Sequence, residues 1–171
     1  GFKMTIHGPN DRYINDAKVA EALAQMFNRI GIEASVETMT KAVYFKRASR
    51  GGPNESPEFS FMLLGWGAGS GEASSPLKAL LHTFDKSKGM GAANRGRHSD
   101  PRVDDLIQKA LATVDSDARG KLLAEATEIA VGKNFGVIPV HYQQNTWASK
   151  KGYKYTPRTD ERTIVMDLKT Q

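Results

Sequence analysis

The stretch "FKMTIHGPNDRYINDAKVAEALAQMFNRIGIEASVET", residues 2–38, decides the fold. Residues 2–7 alternate apolar and polar side chains, which is typical of a half-buried strand, and residues 8–11 form a turn. Residues 16–30 have the helical period, with Asn15 or Asp16 as a cap and Gly31 as the stop. The alternation then resumes over residues 32–38. This order predicts a βαβ unit with parallel strands and a right-handed crossover. The apolar face of the helix is predicted to contain Val19, Leu23, Met26, Phe27 and Ile30.

The middle of the chain predicts further short elements. Residues 41–50 favour a helix and residues 51–58 a loop, and the apolar run 59–65 predicts a strand buried on both faces. A short helix opened by Pro76 covers residues 76–84, and residues 85–99 are irregular.

Two helices follow, predicted to form an antiparallel hairpin with apolar faces inward. The first is capped by Asp100, with Pro101 at its first position, and the second lies within residues 116–133 and ends at Gly132. The expected inward residues are Val103, Leu106, Ile107, Ala110, Leu111, Leu122, Leu123, Ala126, Ile129 and Ala130.

The end of the chain is extended and more polar. Pro139 indicates that a strand over residues 135–150 lies at an edge or is broken. The apolar run 164–168 requires a partner surface. We therefore expect an α/β fold with a mixed sheet flanked by helices, a helical hairpin and an extended tail. Residues 1–150 are assigned to one domain and residues 151–171 to the tail.

Composition narrows the class of protein. Charged residues make up 25% of the 171 residues and hydrophobic residues 39%, as in soluble globular domains. No apolar run is long enough to span a bilayer, and residues 1–10 lack the regions of a signal peptide, so either the chain has none or this is not its natural start. The absence of cysteine excludes disulfides and thiolate chemistry. The net charge of +5 keeps a basic interaction or nucleic-acid-binding module as the alternative, although the basic residues are scattered among acids.

Catalytic and metal sites have little support in the sequence. The four histidines, at positions 7, 82, 98 and 141, have no ligand spacing. The serines of residues 70–75 are not in a nucleophile elbow, and the nearby glycines lack the Lys and Ser/Thr of a P-loop. We therefore expect no enzymatic activity, no metal site and no cofactor.

A binding site is expected where the apolar run 59–65 ends. Ligands of open α/β sheets bind beyond the carboxyl ends of the strands. Trp66 would supply an apolar wall, Gly67 and Gly69 would let backbone groups approach a ligand, and Glu72 would meet an amine. Asn94 and Arg97 are candidates from the next irregular stretch. The alternatives are that Trp66 only packs and that Glu72 is an ordinary exposed loop carboxylate.

The residues also resemble a known family. "GWGAGSGE", "NRGRHSDPRVDDLIQKA", "DARGKLLAEATEIA" and "IPVHYQQNTWASKKGYK", in this order after the βαβ stretch, are similar to the carboxyl-terminal part of family 5 extracellular solute-binding proteins. The resemblance implies the second lobe of a type II periplasmic-binding-protein-like fold, with residues 151–171 returning toward the first lobe. In this family, the dipeptide-, oligopeptide- and nickel-binding components of ATP-dependent importers, two lobes close on a ligand.

The resemblance also implies roles for three residues of the expected site. Trp66 matches the family's aromatic residue, and Glu72 stands where an aspartate usually meets a peptide's amino terminus. Arg97 replaces an aromatic residue and either offers a cation to a carboxylate or is a surface charge. The implied partners are a small-molecule or peptide ligand and the permease subunits of an ABC transporter, without nucleic acid. The implied location is periplasmic, or extracellular with a lipid anchor outside this chain, so the membrane is reached only through the transporter or that anchor.

Overall fold

The computed structural model describes residues 1–52, 56–158, 160 and 162–171. Residues 53–55 of the predicted loop 51–58, and residues 159 and 161 of the predicted tail, lie outside the described residues. The chain divides into two compact units, Gly1–Ile138 and Pro139–Gln171. Of the elements formed by the described residues, the five α-helices and the parallel strands lie in the first unit.

The βαβ prediction is confirmed. β1 covers Lys3–Pro9, α1 covers Asp16–Arg29 and β2 covers Glu33–Met39. The two strands are parallel, and each residue of β1 pairs with a residue thirty positions later in β2, from Lys3 opposite Glu33 onward. Gly31 has φ +86, a left-handed conformation that glycine adopts without steric cost, so it ends the helix as predicted.

The prediction of the apolar face of α1 is only partly correct. The buried residues are Ala20 and Ala24, with Leu23 and Phe27 partly buried beside them, whereas Met26 is 58% exposed and Ile30 is 71% exposed. The helix packs against β1 through its alanines, since Ala20 and Ala24 form one buried cluster with Ile6 of β1. The Asp16 carboxylate accepts hydrogen bonds from the backbone N–H groups of Arg12, Tyr13 and Ala17, so it fixes the turn before the helix.

The strand predicted over residues 59–65 is a single parallel bridge between Met62 and His7. It is held by His7 N–H to the Phe61 carbonyl at 3.0 Å and Leu63 N–H to the His7 carbonyl at 2.8 Å. The prediction of burial on both faces is wrong: residues 61–64 are only partly buried. Among the described residues, this segment pairs with β1 on one side and with no strand on the other, so its second edge has no ladder to shield it.

The predicted helix over residues 41–50 is confirmed as α2, Lys41–Arg50. Its buried residues Tyr44 and Ala48 form a small cluster with Phe59. α2 therefore packs against the extended segment 59–65 as well as beside the sheet.

The helical hairpin is confirmed. α4 is Pro101–Ala112, and α5 is Ser116–Thr127, continuing as a π-helical turn over Glu128–Lys133. The short helix predicted over residues 76–84 is α3, Ser74–Leu80, which starts two residues before Pro76 and ends four residues earlier than predicted. The Asp100 carboxylate accepts from the N–H groups of Arg102 and Val103, as a cap does. The largest hydrophobic cluster lies between α3, α4 and α5. Leu111, predicted to face inward, is 44% exposed.

The second unit, 139–171, has little regular structure. β3, Tyr153–Tyr155, pairs antiparallel with β4, Leu168–Thr170, and a 3-10 turn covers Val165–Asp167. Residues 135–152 contain no strand, so the strand predicted over 135–150 is wrong. Pro139 has no N–H to donate, and the described residues offer this segment no partner strand. Val165 and Met166 are 80% and 81% exposed.

Candidate ligand-binding site

The candidate site lies at the carboxyl edge of the parallel strands. β1, β2 and the segment at Met62 run in the same direction, so the residues after each of them meet at one edge. The backbone N–H of Lys41 donates to the Asp11 carboxylate at 2.6 Å, which ties the turn after β1 to the start of α2. Trp66 follows the third of these segments.

Two tyrosines hold the chain just before Trp66. The Tyr44 hydroxyl donates to the Leu63 carbonyl at 2.6 Å, and the Tyr13 hydroxyl donates to the Gly65 carbonyl at 3.2 Å. Burial raises the pKa of Tyr44, so its hydroxyl stays protonated and remains a donor. A Cβ on Gly65 would lie 2.7 Å from Cε1 of Tyr13, so a larger residue here would displace the Tyr13 ring.

Trp66 and the loop after it are open. Trp66 is 47% exposed, and a Cβ added to Gly67 or Gly69 would meet nothing within 4 Å. Gly71 has φ +77 and donates its N–H to the Ala68 carbonyl, which closes a turn. The loop thus exposes an aromatic face beside accessible backbone.

Glu72 is engaged within the chain. One carboxylate oxygen accepts a hydrogen bond from the Ser74 hydroxyl, and the other lies 3.2 Å from Nε of Arg119 on α5. The side chains of Glu72 and Arg119 are 34% and 35% exposed. This ion pair joins the glycine loop to the helical hairpin, and an incoming amine would have to share the carboxylate with Arg119.

Asn94 is a buried part of its own loop. It is 3% exposed. Its amide nitrogen donates to the carbonyls of His82 and His98, at 3.0 and 2.7 Å, and its amide oxygen accepts from the N–H of His98 at 3.0 Å. The side chain therefore sets the shape of residues 82–98.

Arg97 is exposed and adopts a left-handed backbone conformation with φ 55. Its guanidinium lies 4.2 Å from the ring centroid of Phe84, a cation–π contact. Among the described residues, no hydrogen bond or ion pair joins Asn94 or Arg97 to Trp66 or Glu72, so the two loops form separate patches.

The sequence did not predict Arg119, Tyr13 or Tyr44 as residues of the site. Tyr13 follows β1 at the carboxyl edge, and that position is a usable signal. Arg119 offers none, because its partner lies forty-seven positions earlier in the chain.

The described residues contain neither a metal-ligand cluster nor a membrane-spanning helix. No three His, Asp or Glu side chains in that part of the chain are grouped as a metal ion would need. None of the described helices has the length and apolar character needed to cross a membrane.

Comparisons with known proteins identify the fold. No protein-family model matches the chain. It is 27% identical over 126 residues to heme-binding protein A of Haemophilus influenzae, covering 74% of this chain and 21% of that protein. The crystal structure of Haemophilus influenzae OppA in complex with the peptide RPPGFSPFR superposes with a TM-score of 0.78 at 22% identity, covering 99% of this chain and 31% of OppA. The fold is that of a lobe of a family 5 solute-binding protein.

A second solved structure is also similar to the chain. The periplasmic binding protein DppA of Helicobacter pylori, in complex with the peptide STSA, has a TM-score of 0.65 and 25% identity, covering 80% of this chain and 24% of DppA. These relatives are binding proteins. The chain spans between a fifth and a third of their length.

Proposed function

We propose that this chain is the ligand-binding lobe of the substrate-binding component of an ABC-type importer. It captures a peptide-like or other small solute in a cleft between two lobes, without converting it chemically. The observation that carries the proposal is the half-exposed Trp66, with its open glycine loop and Glu72, at the carboxyl edge of the parallel strands.

Several further elements belong to this proposal. The protein acts in the periplasm, or outside the cell on a lipid anchor, and delivers its solute to permease subunits. Residues 1–150 form the lobe and residues 151–171 the tail that returns to the other lobe. The relatives complexed with peptides support a peptide-like solute.

The contacts suggest how each residue contributes. Trp66 gives an apolar wall whose burial under the solute releases water, while Gly67 and Gly69 expose backbone N–H and C=O groups for orientation. Glu72 has two carboxylate oxygens already held by Ser74 and Arg119, so its position is fixed before a ligand arrives. A solute amine joins this pair as an additional donor, which preserves the ordering of the loop.

The test uses the full-length protein that carries this chain, with free peptides and their amino-acetylated counterparts. Trp66→Ala is expected to weaken both by about thirtyfold, corresponding to about 2 kcal/mol for a hot-spot residue. Glu72→Gln is expected to weaken only the free peptides, by about tenfold, because a charge-assisted hydrogen bond becomes neutral. Isothermal titration calorimetry gives both ratios.

Arg119→Gln is the matched control. It breaks the same ion pair but keeps the Glu72 charge, so it should not select between free and acetylated peptides. Equal losses of both ligands in Glu72→Gln and Arg119→Gln would show that Glu72 only anchors the loop. A wild-type protein that binds no peptide of either kind would contradict the peptide assignment.

A further inference from the structure

The parallel ladder beside β1 stops short of Trp66. The His7 N–H donates to the Phe61 carbonyl, and the Leu63 N–H donates to the His7 carbonyl. In a parallel ladder the next bond would run from the N–H of residue 9 to the Leu63 carbonyl. Residue 9 is a buried proline, which has no N–H, so β1 cannot make that bond. The backbone that leads to Trp66 therefore needs donors from outside the strand.

Two tyrosine hydroxyls supply these donors. The Tyr44 hydroxyl, from α2, donates to the Leu63 carbonyl at 2.6 Å, where the ladder bond is missing. The Tyr13 hydroxyl, from the turn after β1, donates to the Gly65 carbonyl at 3.2 Å. The Tyr44 side chain is fully buried, and the backbone N–H of Tyr13 donates to the Asp16 carboxylate at 3.0 Å. Both tyrosines are thus held in place independently of the glycine loop.

The Trp66 side chain has few other contacts that could fix it. It is 47% exposed, and among the residues that the structure describes it takes part in no hydrogen bond and no aromatic ring contact. On its other side, Gly67 is open, since a Cβ there would meet nothing within 4 Å. The direction of the indole therefore depends on the backbone just before it, and that backbone is held by the two tyrosines.

We propose that Tyr13 and Tyr44 are positioning residues for Trp66. Their hydroxyls replace the strand bonds that Pro9 prevents, so that the indole is presented in one orientation before a solute arrives. The inference rests on the proposed function and deepens it, because it assigns the residues that order the apolar wall. Without them, the ordering of this segment would occur during binding and would reduce the affinity.

The first measurement needs no ligand. The full-length protein that carries this chain is labelled with fluorotryptophan, and the Trp66 resonance in the fluorine NMR spectrum is identified by its loss in Trp66→Phe. We expect Tyr13→Phe and Tyr44→Phe each to shift or broaden this resonance. An unchanged Trp66 resonance in a folded variant would overturn the role of that tyrosine. The Tyr13 hydrogen bond is exposed, so Tyr13→Phe decides the question even where Tyr44→Phe destabilises the protein.

Tyr155→Phe is the matched control. The Tyr155 hydroxyl also donates to a backbone carbonyl, that of Arg162, at 3.0 Å, and both residues belong to the second unit. The Tyr155 ring lies 5.9 Å from the ring of Trp147. Tyr155→Phe should therefore change the Trp147 resonance and leave the Trp66 resonance unchanged. A Trp66 resonance that responds equally to all three tyrosine substitutions would overturn the proposal.

The second measurement is a double-mutant cycle on peptide affinity by calorimetry. Tyr13→Phe and Tyr44→Phe should each weaken peptide binding by about fivefold, the net effect of one hydrogen bond. In the Trp66→Ala background the same substitutions should change the affinity by less than about twofold, because the group that they position is gone. A role in stability alone predicts no such dependence. Equal losses with and without Trp66 would overturn the proposal.

The outcomes separate the two proposals. A wild type that binds no peptide, with a Trp66 resonance that responds to Tyr13→Phe, would leave the positioning role standing and remove the peptide assignment. Peptide binding that is weakened by Trp66→Ala but by neither tyrosine substitution would keep the proposed function and overturn the positioning role.

Discussion

Asn94 shows how a residue at a candidate site can serve the fold. Its amide makes three hydrogen bonds to the backbone of His82 and His98, and the side chain is almost fully buried. Each bond satisfies a polar group that the loop removes from water. The contribution of Asn94 to ligand binding stays a prediction, and its contribution to the loop is a contact the structure shows.

Substitution of Asn94 should therefore cost stability. Asn94→Ala leaves the carbonyls of His82 and His98 without donors, and we expect the free energy of unfolding to fall by about 2 kcal/mol. Asn94→Asp keeps the size but lacks both donors, so it should behave similarly. Urea denaturation followed by circular dichroism measures both. Lys86→Ala, at an exposed position of the same stretch, is the control; a loss in Lys86→Ala equal to that in Asn94→Ala would contradict this role.

The sequence could not predict which polar side chains pair with each other across the fold. Arg95 meets Ser49 forty-six positions earlier, and Glu72 meets Arg119 forty-seven positions later. Periodicity reports which face of an element is apolar and contains no information about which polar side chains meet across the fold. The prediction of Trp66 and Glu72 depended instead on their place after an apolar run, which strand direction makes informative.

At the scale of elements, strong local patterns gave correct predictions. α2 has the predicted bounds, and the hairpin follows from the Asp100 cap and the helical period of its apolar residues. The strand predictions for residues 59–65 and 135–150 failed because a strand needs a partner strand. Which segments become partners is decided by the tertiary fold and not by the local sequence.

The hairpin core gives a test with a built-in control. Leu106 and Leu111 lie on the same helix, 7% and 44% exposed. Leu106→Ala empties part of the core and should cost about 3 kcal/mol, whereas Leu111→Ala should cost less than about 1 kcal/mol. Chemical denaturation measures the difference. Equal costs would mean that the helix is rotated about its axis relative to this structure.

At the scale of the whole chain, the two units differ in the interactions that stabilise each of them. The three hydrophobic clusters belong to residues 1–138, while residues 139–171 contain a pair of three-residue strands. So short a hairpin is marginally stable by itself.

Truncation tests where the lobe ends. A chain ending at Ile138 should retain the helical circular dichroism and cooperative melting of residues 1–138, because every cluster residue is kept. A chain ending at Lys150, the boundary expected from the sequence, should then melt at the same temperature. If the shorter chain melts well below the longer one, residues 139–150 belong to the lobe.

The contact between Gly65 and Tyr13 has a consequence for how such sequences can drift. A methyl group at position 65 would strike the tyrosine ring, so the two positions are coupled. A larger residue at 65 requires the ring of Tyr13 to move or to be lost, and either change removes the hydroxyl that holds the Gly65 carbonyl. Among related sequences, positions 13 and 65 should therefore change together.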